Sequence, residues 1–250
     1  MEGDDAATYG DRFADVYDDW YDEPEATAAA VERARVLAAE VAGGERVPEL
    51  LELGVGTGRL ALPLVAAGVA VTGLDASAAM LDQLAAKDEA GAVSAVVGDM
   101  AGPLPDGPFE LVLVARNTLF NLTTADAQRA CLAEVVRVLG PGGRLVVEAF
   151  VPADEPGPSS SVEVRSISID RVVLFVDRHD ATAGESWSSF VDIGPEGVQF
   201  RPCHVRYLRP DALDLLAGEV GLALESRHAD WDRTPFDDDS AHHISVFRLA

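Results

Sequence analysis

The sequence predicts an α/β fold with a largely parallel sheet. Three observations carry this. Between residues 48 and 150, short apolar stretches of strand length alternate with helix-forming stretches. A glycine-rich turn, Gly54-Val-Gly56-Thr-Gly58, joins the first such strand to the helix after it. A segment of period-two alternation, 162–208, is followed by a helix and two final strands. The chain has 250 residues, 48% of them hydrophobic, which suits one large domain with an insertion.

In chain order, Tyr9, Phe13, Tyr17 and Tyr21 stand four apart and predict one helical segment over 7–22 with an aromatic stripe, ended by Pro24. Residues 25–42 are rich in helix formers, and Gly43-Gly44 stops that helix. Glu49–Leu53 reads as a buried strand, Arg59–Ala67 as a helix and Val69–Leu74 as a second strand. A helix follows from Ser77, then strands Val93–Val97 and Phe109–Ala115. Thr124–Leu139 is helical, with Thr123 or Thr124 as its cap. A turn at Gly140–Gly143 leads into strand Arg144–Phe150. Such alternation implies parallel pairing with right-handed crossovers, and strands apolar throughout imply cover on both faces. After Phe150 comes a loop and then an antiparallel meander of about four strands over 162–208. Pro210 opens a helix, and strands 222–229 and 242–249 finish the chain. The expected organisation is a single domain, 1–250. It comprises a helical cap at 1–47, a core at 48–150 and 209–250, and an inserted β segment at 151–208 for substrate or dimer contacts.

The glycine turn lets backbone approach a ligand closely, beside the N–H donors of a helix start. Alone it is a weak signal, because dinucleotide enzymes use the related G-x-G-x-x-G. Here the third glycine comes one residue early, and Glu52 precedes the turn. Asp75 ends the second strand about 20 residues beyond the turn, the spacing of an acid that accepts ribose hydroxyls. Asp99 follows the third strand, where a carboxylate can accept from an adenine amino group while the Met100 N–H meets the ring. Ligands in such sheets lie outside the carboxyl ends of the strands, where all of these residues fall.

These residues resemble the class I S-adenosylmethionine-dependent methyltransferases. The matching stretches are Glu52–Gly58 (ELGVGTG), Gly73–Ser77 (GLDAS), Gly98–Met100 (GDM) and Leu139–Glu148 (LGPGGRLVVE). The resemblance implies a Rossmann-like seven-stranded sheet of order 3-2-1-4-5-7-6 and S-adenosylmethionine as cofactor. It implies that Glu52 supports the turn of Gly54, Gly56 and Gly58 and the methionine ammonium, that Asp75 holds the ribose and Asp99 the adenine with Met80 and Met100 flanking it, and that Ala76 also binds the cofactor. The start Ala14–Tyr21 and the β insertion are similar to N,N-dimethyltransferases of nucleotide-linked amino sugars in secondary metabolism. The stretch Ala115–Leu122 (ARNTLFNL) departs from that group, which carries a small Ser-rich stretch there.

The expected reaction is in-line methyl transfer to N or O of a small metabolite. Tyr17 and Tyr21 are candidates to close over the sulfonium with their π faces. Arg116 and Asn117, after the fourth strand, are candidates for the acceptor side, Arg116 as a partner for an anionic group. His204 and Tyr207 in the meander, and Trp231, His242 and His243 near the end, read more readily as structural. Adjacent histidines on a strand point to opposite faces, and no Cys/His spacing suggests a metal site.

Net charge is −24, which repels phosphate backbones and argues against nucleic acid. No apolar run is long enough to span a membrane, the start lacks the features of a signal peptide, and two cysteines suggest no disulfide framework. A cytoplasmic enzyme is expected, and the meander suits pairing with a twin as a dimer. A protein that binds the cofactor without methylating, as a scaffold or for a rearrangement, would carry the same motifs. A nicotinamide oxidoreductase is disfavoured by the early Gly58, by Asp99 and by the antiparallel ending.

Overall fold

A computed structural model describes residues 6–44, 46–152 and 157–250. The cap comprises α1 (Thr8–Phe13), α2 (Tyr17–Trp20) and the long α3 (Pro24–Ala42). The core then runs β1 (Glu49–Leu53), α4 (Ala61–Ala66), β2 (Ala70–Asp75), α5 (Ala78–Lys87), β3 (Ser94–Val97) and β4 (Phe109–Val114). A 3₁₀ turn at Thr118–Asn121 precedes α6 (Ala125–Val138) and β5 (Leu139–Phe150). The insertion supplies β6 (Pro158–Ile167), β7 (Val172–Asp180), β8 (Glu185–Gly194) and β9 (Gly197–Arg206). The chain closes with α7 (Pro210–Glu219), β10 (Leu222–His228) and β11 (His242–Leu249).

The main sheet has the order β10-β11-β5-β4-β1-β2-β3, with parallel pairs from β3 to β5 and antiparallel pairs at β11. Counting only its own strands, this is 3-2-1-4-5-7-6, as the resemblance implied. Alternate residues of each strand feed opposite apolar layers. Val112 and Val114 pack with Leu132 and Val135 of α6 and Leu213 of α7; Leu111 and Leu113 pack with Ala34 and Leu37 of α3. The strands are therefore apolar on both faces because helices cover both. Glu52 is the exception within β1, a carboxylate only 4% exposed.

Three expectations change. The segment 7–22 is two short helices rather than one, because the chain leaves helical geometry at Val16 (φ −124°, ψ −5°). Its stripe divides accordingly into the stacked pair Tyr9–Phe13 and the tilted pair Tyr17–Tyr21, with ring centroids 4.6 and 4.7 Å apart. Pro24 opens α3 at its first turn, where a missing N–H costs nothing, instead of only closing the segment before it. The glycines at 140–143 are not a turn outside the strand. They lie within β5, where Leu139 pairs with Phe109 before the register jumps to Leu111 opposite Arg144. Glycines suit such an irregularity, and Gly142 adopts φ +76°.

The four-stranded meander forms its own sheet, β6-β7-β8-β9. A third apolar cluster ties it to the cap and to α5: Phe13, Val16, Met80, Val173 and Phe190. Arg201, 3% exposed, adds a paired contact from β9 to Asp15 at 2.7 and 2.8 Å.

Candidate active site

The glycine turn follows directly from β1. Gly54, Gly56 and Gly58 have φ of +70°, +55° and +85°, a region that L side chains rarely adopt. A Cβ on Gly54 would lie 2.4 Å from Thr118 Cγ2, whereas one on Gly56 would meet Met80 Sδ at 3.9 Å and the Gly54 carbonyl at 4.0 Å, both ordinary contacts. Gly54 is thus needed for packing and Gly56 for its backbone shape. The Gly54 and Val55 amides donate to the Leu74 carbonyl, and the Gly56 amide donates to Asp75 Oδ2 at 2.8 Å. The other oxygen, Asp75 Oδ1, accepts from the Ser77 amide at 2.9 Å. Two N–H donors therefore orient the carboxylate and leave lone pairs on both oxygens for a diol. Burial raises the Asp75 pKa, and the N–H bonds from Ser77 and Gly56 oppose the rise.

These residues open on a cavity of about 460 Å³. Gly54, Gly56, Asp75, Ala76, Met80, Asp99 and Met100 all line it. Asp99 is exposed and spends one oxygen on the Ala101 amide at 2.9 Å. Gly58 and Glu52 do not line the cavity; Gly58 sits where a Cβ would lie 3.0 Å from Leu84. Glu52 is buried, and its Oε2 has no hydrogen-bond partner among the described residues. Burial pushes its pKa up to about 8, Arg59 pulls the other way, and Asp75 adds to the rise.

The cap closes this end of the cavity. Tyr9, Gly10, Tyr17 and Tyr21 line it, and three polar contacts anchor the cap to the glycine turn and α5. Thr57 Oγ1 donates to Asp18 at 2.5 Å, Lys87 pairs with Asp18 at 2.6 Å, and Ser77 Oγ donates to Asp11 at 2.6 Å. Gly10 allows this approach, since a Cβ there would lie 2.4 Å from Ser77 Cβ. Burial pushes the Tyr17 hydroxyl up to about 12, against the pull of Arg59 and Arg116.

Arg116 and Asn117 also line the cavity, in a turn with φ +48° and +62°. Glu148 locks that turn: its carboxylate accepts from the Arg116 amide at 2.8 Å and from Trp231 Nε1 at 3.0 Å, and its carbonyl accepts from the Asn117 amide. The Asn117 side-chain oxygen accepts the Phe150 amide at 2.7 Å, so it holds the turn to β5. The Arg116 guanidinium is paired with Glu23 and lies 5.0 Å from the centre of the Tyr21 ring.

The far wall is the meander, which the sequence reading assigned to substrate only as a whole. Phe175, Asp177 and His179 of β7 reach the cavity, as do Ser186, Ser188 and Phe190 of β8 and Cys203 and Val205 of β9. Strict alternation was the available signal: residues two apart share a face, and the cross-strand pairs Phe175–Phe190, Asp177–Ser188 and His179–Ser186 bring these faces together. Tyr207 supports His179 from behind. His204 stacks on Trp187 at 4.9 Å, away from the cavity lining. His242 is exposed, whereas His243 is buried with Nδ1 2.8 Å from Ser245 Oγ.

The residues fit S-adenosylmethionine. A glycine cradle of positive φ adjoins a buried carboxylate with an unpartnered oxygen just behind the cavity lining, suited to an ammonium, and an oriented carboxylate, suited to a ribose diol. Comparison with known proteins agrees. Residues 50–143 match the model of a methyltransferase domain. Over its whole length the chain is similar to the CcbJ methyltransferase from Streptomyces caelestis, at 36% identity and a TM-score of 0.90, covering 99% of this chain and 100% of that one. It is 31% identical over 144 residues to the cypemycin N-terminal methyltransferase of a Streptomyces species, covering 57% of this chain and 59% of that protein. The sugar N-methyltransferase KedS8 from Streptoalloteichus shares the fold at a TM-score of 0.69, with 18% identity and coverage of 98% and 95%. The chain belongs to the S-adenosylmethionine-dependent methyltransferases. It spans about half the length of the curated relatives it matches.

Proposed function

We propose that this protein transfers a methyl group from S-adenosylmethionine to an amine nitrogen of a small metabolite. When bound, the cofactor supplies a methyl group on a cationic sulfonium, open to in-line attack. Glu52 would hold its ammonium, Asp75 its ribose and Asp99 its adenine amino group. Tyr17 and Tyr21 close the cavity from the cap and keep water out, and their faces suit positive charge. The observation that favours nitrogen is the charge around the cavity. The meander contributes a carboxylate, Asp177, among aromatic rings, and the cationic side chain that lines the cavity, Arg116, is already paired with Glu23. A cationic amine suits such a wall better than an anionic acceptor does. The cypemycin relative, whose name places its methyl on an N-terminus, points the same way.

The test is S-adenosylhomocysteine release with a panel of amines, phenols and carboxylic acids. Turnover confined to amines is expected. Turnover confined to phenols would refute nitrogen as the acceptor, and tight cofactor binding without any turnover would favour a non-methylating scaffold. Asp75→Ala and Asp99→Ala are each expected to weaken cofactor binding by about 1–3 kcal/mol, measured by calorimetry. Unchanged affinity in both would remove this placement of the cofactor.

The acceptor is proposed as a small molecule rather than nucleic acid on the strength of the charge of −24. No helix among the described residues is long and apolar enough to cross a membrane, and the cysteines are unpaired; the cytoplasm is the compartment we propose. A second copy of the chain is the proposed protein partner. It would dock on the outward face of the meander, where Val162, Val164, Val198 and Phe200 are all more than half exposed.

A further inference from the structure

We propose that His179, steered by Tyr207, takes the proton that the acceptor amine must lose before its nitrogen can attack. The inference rests on the amine reading above and adds a residue to it. An alkylamine with a pKa near that of lysine, about 10.4, is neutral in fewer than roughly one molecule in a thousand at pH 7. Its lone pair is then engaged by a proton, so an enzyme working near neutrality gains from a base beside the nitrogen.

His179 has the placement for this. It projects from β7 into the same cavity as the glycine turn and Asp75, on the wall facing them. Its Nε2 lies 2.8 Å from the Tyr207 hydroxyl, and the two rings stack at 5.0 Å with planes 7° apart. The hydroxyl carries one proton and has a second neighbour, the Asp180 carbonyl at 3.3 Å, which can only accept. With the hydroxyl donating to that carbonyl, the phenol oxygen accepts from Nε2–H and the free lone pair lies on Nδ1. Nδ1 has no partner among the described residues.

The charged and titratable groups around this pair are Asp177 and Asp180 on β7, Cys203 on β9, and Arg209 at the start of α7. Asp177 shares the cavity face of β7 with His179, roughly 6–7 Å along the strand at two residues' rise. Ser186 Oγ donates to one of its oxygens, and the other is open to the acceptor. In the step, the acceptor N–H bond breaks, its electron pair stays on nitrogen, and an Nδ1–H bond forms. The imidazolium stands near the Asp177 carboxylate and releases its proton to solvent after turnover. Tyr207 touches no substrate and is a positioning residue.

The experiment measures methyl transfer to alkylamines of graded pKa, with wild type and His179→Gln, across pH 6–10. His179→Gln is expected to lose about 100-fold in kcat at pH 7 on amines of high pKa. It should recover as pH approaches the amine pKa, lose little on amines of low pKa, and bind cofactor as wild type does. Tyr207→Phe is expected to lower kcat several-fold with little change in KM. Wild-type kcat in His179→Gln at pH 7 would overturn the proposal, as would an equal loss on every amine at every pH. Methylation of hydroxyls alone would refute the amine reading and this inference together, whereas amine methylation unaffected by His179→Gln would refute only the inference.

Discussion

Glu52 is costly to the folded protein in its charged form, and on the proposed placement of the cofactor that charge would be matched by an ammonium. Its carboxyl sits on a face of β1 otherwise packed against helices, with an oxygen that has no partner. Its pKa of about 8 lies above the ordinary 4.5, so the unfolded chain loses this proton first. The stability it contributes is therefore full below about pH 4.5 and is lost as pH rises through 8. Glu52→Gln should flatten the Tm–pH curve of the cofactor-free protein between about pH 4.5 and 8 while weakening cofactor binding. Equal slopes in both proteins would refute the burial argument. An ammonium beside the carboxylate favours its charged form, so cofactor affinity should rise between about pH 6 and 8 with release of a proton, readable by calorimetry in buffers of different ionisation heat. His243 acts with the opposite sign. Its pKa is pushed down by burial to about 4, so its contribution is full above pH 6.5 and fades as pH falls through 4.

At the scale of elements, the cap is held by small contacts at close range. Gly10 lets α1 settle onto the N-cap of α5, where Ser77 also donates to Asp11. Gly10→Ala would place a methyl 2.4 Å from Ser77 Cβ, closer than packed atoms tolerate. It is expected to cost about 1–3 kcal/mol in stability and to weaken cofactor binding, since the cap lines that end of the cavity. Thermal melts with and without cofactor would read both effects, and a melt identical to wild type would show that α1 yields freely. The β7–β8 hairpin has a comparable role on the acceptor side, because its alternation carries Phe175, Asp177 and His179 inward and Leu174, Val176 and Arg178 outward. A slip of one residue would exchange the two sets.

For the whole molecule, the inserted sheet is a wall with two uses. Its inner face completes the cavity, and its outer face leaves apolar side chains in water; Phe200 is 65% exposed. Phe200→Glu is expected to abolish the proposed dimer in analytical ultracentrifugation while leaving cofactor affinity intact. A wild type that sediments as a monomer at micromolar concentration would refute the dimer. The net charge of −24 opposes self-association, so dimer formation should strengthen with added salt.

Much of this architecture was readable along the chain. Strands such as Glu49–Leu53 and His242–Leu249 were placed to the residue, because apolar periodicity and Gly or Pro punctuation are local signals. That Gly54, Gly56, Asp75 and Asp99 meet at one cavity was readable too, since each stands at a strand end, which sequence spacing encodes. Where the chain is short of local signal, the reading slipped: nothing near Val16 marks the break between α1 and α2, and the glycines at 140–143 look the same in a turn as in a bulged strand. The acceptor wall lay further out of reach. His179 meets Tyr207, Asp177 meets Ser186, and Glu148 locks Arg116 and Asn117 only through pairings between distant segments. By itself the sequence determined the strands, the helices between them and the glycine turn, because each depends on a pattern within one stretch of chain; the order of the sheet came from the family resemblance. Which side chains face the acceptor was decided by tertiary structure alone, because that depends on strand register and on how the cap and meander close over the sheet.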